Sequence, residues 1–447
     1  MNQKLLRLVR RQIHTIITRE TIKPSSPTPS HLLTYNLSEM DLLSPKFFMP
    51  VVLFYRRNNG GKAEEKDIML KKSLSQSLTR YYPFAGRLPS PASPYVDCND
   101  EGVLFLEARN DTQLDSFQRR MISCQEDDMD QLFPDDMINF KNTTSRYLGA
   151  VQLTHFACGG SALAISLTHV IGDGCTLSSF LSHWASVARY GSTDHKEVVP
   201  NDPHYIQSPC TQLTLPETGM EKITPLNNLV SRRFVFPNSK LSELKNKVVS
   251  EADGSMNNPT RVEVLTSLIY KTAVAAAIER SGSFKPSYLV FVANVRDKFV
   301  QKLPPSAVGN FLKLMMVKTM HESETSLSMV SAEMRKKKLQ LDQGIQSLQQ
   351  LVDDLKSFLS KLTNEDLENV AKETYWCSSL CGFRFNKLDF GWGKPMGTSH
   401  AARCVDRNGF VLMDTADGDG IEVMMFLEKE CMEIFENNKE LLSYCKI

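Results

Sequence analysis

His169–Val170–Ile171–Gly172–Asp173–Gly174 (HVIGDG) stands where a strand gives way to a helix. Upstream, ALAISLT (Ala162 to Thr168) alternates, with Leu163, Ile165 and Leu167 on one face and Ala164, Ser166 and Thr168 on the other. Parity puts His169 on the face of the three large aliphatics, so its imidazole is expected to point inward. Downstream, Gly172 and Gly174 break the strand, and Leu177, Phe180, Leu181, Trp184 and Ala188 recur at helical spacing over Thr176 to Tyr190. A strand that feeds a helix through a histidine turn is α/β construction. Desolvation keeps such a histidine neutral at working pH, which suits a general base. The competing reading is a hydrogen-bonded core histidine, with Asp173 as a helix cap and nothing more.

A second stretch, Asp389–Phe390–Gly391–Trp392–Gly393 (DFGWG), lies about 220 residues further on. Two glycines flanking a tryptophan, after an acid and an aromatic, describe a fixed loop. By itself this is a structural turn.

The bulk composition narrows the class. The chain has 447 residues, 41% of them apolar, enough for two domains. Its 52 basic and 51 acidic residues nearly cancel, which argues against nucleic acid as a partner. No apolar run is long enough to span a bilayer. Ten cysteines show no paired CxxC spacing, and Cys377 and Cys381 have no companion pair or histidine, so neither a disulfide framework nor a zinc site is expected. Scattered thiols point to a reducing compartment. The N-terminus carries Lys4, Arg7, Arg10, Arg11 and Arg19, with no acid before Glu20 and a possible apolar stripe of Leu5, Leu6, Val9 and Ile13. It lacks the length and serine richness of an organelle transit peptide and is taken as a basic extension.

Glu65 to Tyr81 is expected to be a helix with Leu70, Leu74 and Leu78 as its stripe. A polar stretch rich in proline, serine and asparagine, from Gly191 to Leu229, is expected to be a crossover between domains 1–190 and 230–447. The second half opens with a strand at Ser231 to Phe236 and helices near Leu241 to Val249 and Arg261 to Glu279. Strands follow at Tyr288 to Val295 and Leu312 to Met320, then a largely helical region from Ser326 to Thr374. Arg335 to Lys338 is expected to be a solvated face. Asp414, Asp417, Asp419 and Gly420 lie between two terminal strands; their spacing is wrong for a calcium loop, and a hairpin turn is expected.

HVIGDG and DFGWG together resemble the plant BAHD acyl-CoA-dependent acyltransferases. The resemblance extends through TIKPSSPTPSHLLTYNLSEMD (Thr21 to Asp41), YYPFAGRL (Tyr81 to Leu88), VQLTHFACGG (Val151 to Gly160), ANVRDK (Ala293 to Lys298) and Gly309–Asn310, in family order. It implies two similarly sized α/β domains of the chloramphenicol-acetyltransferase type with a solvent channel between them. Within the family, the chain looks most like the vinorine synthase-like, alkaloid-acetylating branch. That implies acetyl transfer from acetyl-CoA to a hydroxyl of a bulky plant metabolite, an alkaloid foremost. The alternatives are a terpenoid alcohol, another short donor such as malonyl-CoA, or an inactive relative that only binds. No permanent cofactor and no metal is implied, and a cytoplasmic monomer is expected. A peptide-synthetase condensation domain is the other kin, but it usually has two adjacent histidines, and here Thr168 precedes His169.

The same resemblance assigns roles. His169 is the base, acting directly on the acceptor without an acyl-enzyme; Cys158 and Cys175 flank it in sequence with nothing to mark either as an activated thiolate. Asp173 could relay charge to the imidazole, but the family pairs it with the arginine corresponding to Arg296, a structural role. Asp389, with Phe390, Gly391, Trp392 and Gly393, should hold the channel's shape. Where relatives carry a hydroxyl residue, a serine and a tryptophan, this chain has Ser378, Ser379 and Leu380, leaving Ser378 as the oxyanion donor. Ser231, Arg232, Arg233, Thr260 and Arg261 are the candidate coenzyme A contacts, the last two at a helix start where free N–H groups favour anions.

Overall fold

The computed structural model describes residues 14–57, 63–122, 127–134, 147–191, 202–206, 228–254, 256–363, 372–400 and 407–446. Most of the basic extension and most of the crossover lie outside them. Five strands form the first sheet in the N-terminal half: β1 (Thr15–Ile22), β2 (Phe48–Tyr55), β3 (Val103–Asn110), β4 (Gly149–Phe156) and β5 (Ser161–Thr168). The second half supplies β6 (Leu229–Pro237), β7 (Ser287–Asn294), β8 (Leu312–Thr319) and β9 (Thr374–Ser379). Then β10 (Gly397–His400) crosses back to pair antiparallel with β2, while β11 (Gly409–Asp414) and β12 (Gly420–Glu428) complete the second sheet. The sheet orders are β1-β3-β4-β5-β2-β10 and β8-β7-β9-β11-β12-β6. Both mix parallel and antiparallel pairs, so the architecture is α/β with one sheet per half.

The alternation read in β5 is how the first half packs. Leu163, Ile165 and Leu167 join one core cluster, while Ala162 and Ala164 face Val52, Phe54 and Phe117 on the opposite side. Two helices cover the first face, α1 (Ala63–Arg80) through Leu70, Leu74 and Leu78, and α2 (Gly174–Tyr190) through Leu177, Phe180, Leu181 and Trp184. In the second half, α3 (Arg261–Ser281) and α4 (Leu327–Gln340) pack on β7, β9, β11 and β12. The region expected to be largely helical is interrupted after α4 by a short turn at Leu341–Gln343, and Gly344 takes φ +83° before α5 (Leu348–Thr363) begins.

Strand parity also joins the halves. Phe410 and Leu412 of β11 face their own core, whereas Met413 and Val411 pack into the first-half cluster, together with Leu380, Phe383 and Phe390. In return, Met40 and Leu43, from the short helix Glu39–Leu43, enter the second core. The two halves therefore share apolar surface on both sides of their junction, which bears on how the site between them is held.

Two histidines make this core sensitive to acid. Burial lowers the pKa of His14 and of His183 to about 4. Between pH 6.5 and about 4 the unfolded chain takes up protons that the folded one refuses, so stability is full above this window and falls as pH drops through it. A shift of this size is worth about 3 kcal/mol per group. His183→Asn should flatten the dependence of the urea-unfolding free energy on pH between 6.5 and 4.5 by close to one proton. Parallel slopes in wild type and variant would dismiss the assignment.

Candidate active site

The histidine turn is built by contacts that leave little choice of residue. β5 ends at Thr168, whose hydroxyl accepts from Val170 N, and His169 N donates to Phe47 O at 2.8 Å. A Cβ on Gly172 would stand 2.5 Å from the Thr176 methyl, so the close approach of α2's first turn demands glycine. A Cβ on Gly174 would meet Phe383 at 3.0 Å and Leu380 at 3.2 Å. Asp173 then caps α2, its Oδ1 accepting from Thr176 N at 2.9 Å. The cap reading of Asp173 holds, and a second role is added to it.

That role is a buried ion pair across the junction. Arg296 Nη1 and Nη2 donate to Asp173 Oδ2 and Oδ1 at 2.8 and 3.0 Å, a bidentate fork with both side chains at 3% exposure or less. Phe311 N also donates to Asp173 Oδ2. Arg296 spends its other donors on the carbonyls of Ala307 and Gly309 and on Asn294 Oδ1, and its guanidinium lies over the Phe311 ring. Burial alone would raise the Asp173 pKa; the Arg296 charge and its hydrogen bonds outweigh that and hold it below the ordinary carboxylate value. Asp173 is thus an ionised carboxylate consumed by Arg296 and two backbone amides.

His169 is partly exposed, but its Nδ1 is buried and makes no hydrogen bond among the described residues. Burial pushes the imidazole pKa below the ordinary histidine value, while the Asp173 charge opposes the shift without cancelling it. The Phe47 ring packs edge-on against the imidazole at 5.3 Å. The His169 carbonyl accepts from Asn310 Nδ2 at 2.8 Å, and the same amide nitrogen and the Asn310 backbone N donate to Asp41 Oδ1. Neither Asn310 nor Asp41 had a role in the sequence reading. The only local signal was Ser38-x-x-Asp41, a capping box realised at the start of Glu39–Leu43.

The DFGWG loop is fixed at a distance from the histidine. Asp389 Oδ1 accepts from Gly391 N and Gly393 N at 2.8 and 2.9 Å, and both glycines take φ +92°. Phe390 is buried against Trp184 at 4.9 Å, Trp392 packs on Tyr55, and the Tyr55 hydroxyl donates to Leu388 O. Asp389 Oδ2 also meets Arg189, near the end of α2, a helix of 17 residues and about 25 Å whose start holds Asp173. Arg189 is half exposed, so this ion pair contributes little and the two amide bonds dominate. Asp389→Asn keeps an acceptor oxygen and is expected to retain most stability, whereas Asp389→Ala should lose about 1–3 kcal/mol. Thermal melts of the two variants check this; equal losses would make the charge decisive instead.

Ser378 is exposed on β9, and its hydroxyl has no partner among the described residues. Two residues on, Leu380 reaches the start of α2 beside Gly174, so the departure from tryptophan falls against the histidine turn's helix. The coenzyme A candidates are differently placed. Arg233 pairs with Glu422, Arg232 with Glu436, and Ser231 is buried on β6. The Thr260 hydroxyl and amide are both spent on a capping box with Glu263. Arg261 donates to Asn238 Oδ1 and approaches Asp414. None of these contacts reaches the histidine turn. The Arg335 to Lys338 run is not simply a solvated face, because Arg335 binds the carbonyls of Asn257 and Asn258 and, with Lys338, flanks Glu263. Beside it lies a groove of about 400 Å³ lined by Met256, Asn257, Arg335, Lys336 and Gln340, a basic recess that sequence alone did not reveal. Asp414 and Gly420 flank a hairpin turn joining β11 to β12, and no group of metal ligands occurs among the described residues. No helix among them is long and apolar enough to cross a membrane.

Two sheets joined across a buried Asp–Arg pair, with a desolvated histidine at their junction, define an acyltransferase of the two-sheet type. The Transferase family model matches residues 13–442, and the chain belongs to that family, the BAHD acyltransferases. It is 34% identical over 438 residues to acylsugar acyltransferase 3 of Solanum lycopersicum, covering 96% of this chain and 97% of that one. Deacetylvindoline O-acetyltransferase of Catharanthus roseus is 31% identical over 442 residues, with the same coverage. The crystal structure of vinorine synthase superposes with a TM-score of 0.78 at 28% identity, covering 97% of this chain and 98% of the other.

Proposed function

We propose that this acyltransferase moves a short acyl group, acetyl foremost, from its coenzyme A thioester to a hydroxyl of a specialised plant metabolite, with an alkaloid as the leading acceptor. The observation that carries the reading is His169: a partly exposed histidine, kept neutral by burial, on a turn braced by the Asp173–Arg296 pair. In the reaction the acceptor oxygen attacks the thioester carbonyl while the imidazole takes the hydroxyl proton. The tetrahedral intermediate collapses, the C–S bond breaks, and the leaving sulfur recovers that proton, giving ester and free coenzyme A. Ser378, an exposed hydroxyl with no partner among the described residues, is our candidate oxyanion donor. A cysteine acyl-enzyme is not needed: burial raises the pKa of the Cys175 thiol, and the thiol donates to Pro305 O. For the coenzyme A phosphates we favour the two more exposed cations, Arg261 and Lys336 in the basic groove, over Arg232, Arg233 and Ser231, which are more buried, and Thr260, which is spent in its capping box. An alkaloid acceptor is supported by the likeness to deacetylvindoline O-acetyltransferase and vinorine synthase, with the acylsugar enzyme pointing to a broader range. We assign the enzyme to the cytoplasm as a monomer.

The test is thiol release and product mass with acetyl-CoA and malonyl-CoA, each offered with indole, benzylisoquinoline, terpenoid and sugar alcohols. Acetylated alkaloid establishes the reading. Product only from another alcohol or donor replaces the corresponding part of it. Thiol release that ignores the acceptor means hydrolysis, and a folded protein that binds coenzyme A without turnover means a binding role.

A further inference from the structure

Asp67, His155 and Ser161 form a hydrogen-bonded chain at the end of the first sheet remote from His169. Strand parity builds it. His155 continues the face of Val151 and Leu153 on β4, Ser161 continues that of Leu163 and Ile165 on β5, and the two residues stand directly opposite each other. Helix α1 lies on this face through Leu70, Leu74 and Leu78, so Asp67, one turn before Leu70, reaches the same end. His155 Nε2 is 3.1 Å from Asp67 Oδ2, and Ser161 Oγ is 3.4 Å from His155 Nδ1. A carboxylate can only accept, so a neutral imidazole turns its N–H on Nε2 to Asp67. Nδ1 is then a lone pair, and the Ser161 hydroxyl donates to it.

Carboxylate, imidazole and hydroxyl in that order are the parts of a serine nucleophile with its base. The commoner arrangement holds the carboxylate at Nδ1; here the ring is turned end for end, and the same two jobs are shared between its nitrogens. A brace between α1 and β4 would need only the Asp67–His155 bond. The hydroxyl aimed at the remaining lone pair is what points to chemistry. Nor is the chain sealed from solvent: the His155 and Asp67 side chains are 25% and 16% exposed, and Ser161 is partly exposed. Tyr55 is the neighbour of Ser161 on β2, and Trp392 packs on Tyr55, so an apolar flank borders the hydroxyl. Strand β5 separates Ser161 from the His169 turn by about 23 Å at 3.3 Å per residue, so the two sites act apart. We propose that Ser161 is a second nucleophile, which takes the acyl group of a small activated ester with His155 as its base and Asp67 as the positioning residue. Its Oγ attacks the ester carbonyl as the hydroxyl proton passes to His155 Nδ1. The bond from carbonyl carbon to the leaving oxygen breaks, the departing alcohol recovers the proton, and an acyl-serine remains for water to hydrolyse by the same steps.

The test is covalent labelling of the full chain with an alkyl fluorophosphonate, which traps an activated serine as a stable adduct, and with p-nitrophenyl acetate, whose released phenol reports acylation. Peptide mass locates the adduct. In wild type we expect a single phosphonylated residue, Ser161, and the same labelling rate in His169→Ala. His155→Gln and Asp67→Ala should each label about a hundredfold more slowly, the low end of what a positioned base contributes, with melting temperatures confirming that both are folded. If Asp67→Ala does not fold, Asp67→Asn serves instead, because an amide no longer dictates which ring nitrogen carries the proton. Ser161→Ala should lose the adduct and the phenol release while keeping acyl transfer from coenzyme A. A folded wild type that gives no adduct at Ser161 overturns the proposal. So does labelling of Ser161 at the wild-type rate in His155→Gln and Asp67→Ala, which would leave the chain a structural brace. Labelling does not involve the coenzyme A reaction, so the outcome is independent of the acyl donor and acceptor proposed above.

Discussion

His169→Ala is expected to lower kcat/KM for acyl transfer by about a thousandfold, the middle to upper range of what a positioned base contributes, and to leave the fold intact. The reason for the second half is local. The bonds that tie position 169 into the turn, from its N–H to Phe47 O and from Asn310 Nδ2 to its carbonyl, are made by the backbone and survive truncation. The lost ring packs edge-on against Phe47, and the melting temperature should move by only a few degrees. The lowered pKa adds a second signature. Because burial holds the imidazole neutral, kcat/KM of the wild type should stay level as pH falls through 6.5 and decline only below it. Activity of the alanine variant within tenfold of wild type would remove His169 from the role of base.

The second large effect is expected at the Asp173–Arg296 pair, and it is an effect on assembly. Removing one member of a buried pair leaves the other charge uncompensated, at a cost of about 3–5 kcal/mol. Arg296→Met orphans the Asp173 carboxylate and frees the carbonyls of Ala307 and Gly309 as well, so it should be the more damaging single change. Asp173→Asn keeps an oxygen for Thr176 N but leaves the guanidinium without its counter-charge. The double variant should recover part of the summed loss, because no lone charge remains buried. Urea unfolding of the two singles and the double measures this coupling. Strict additivity would mean that the pair acts through its separate backbone contacts.

Both expectations turn on residues that the sequence marked, yet it marked them for different reasons. His169 was legible through parity: three large aliphatics at alternate positions in β5 face one cluster, and the helical stripe of α2 closes over the same cluster. Short-range periodicity survives into the fold because it is the backbone's own repeat. Arg296 was legible only through the family resemblance, since nothing within ten residues of it hints at a partner 123 positions earlier. Where local pattern was the sole guide it misled about charge. The Arg335 to Lys338 run has the look of a solvated face, but Arg335 turns onto Glu263 and the Asn257 and Asn258 carbonyls. Strand β10 was not foreseen at all, because Gly397–His400 is four residues long and takes its meaning from pairing with β2 some 345 positions away.

The sequence by itself determined the elements and the chemistry on offer: a histidine at a strand end, a capped helix behind it, and a glycine-set loop. Those follow from side-chain alternation, cap chemistry and the steric demands of Gly172, which act over a few residues. Only the tertiary structure decided the partners. It closed the Asp173–Arg296 pair that the resemblance implied, spent the arginines at 232 and 233 on carboxylates, and brought Asp41 and Asn310, 269 residues apart, into one hydrogen-bonded unit behind His169. The reason is the cost of burial. A polar group taken from water must find a partner, and which partner is within reach is set by how the two halves close on each other.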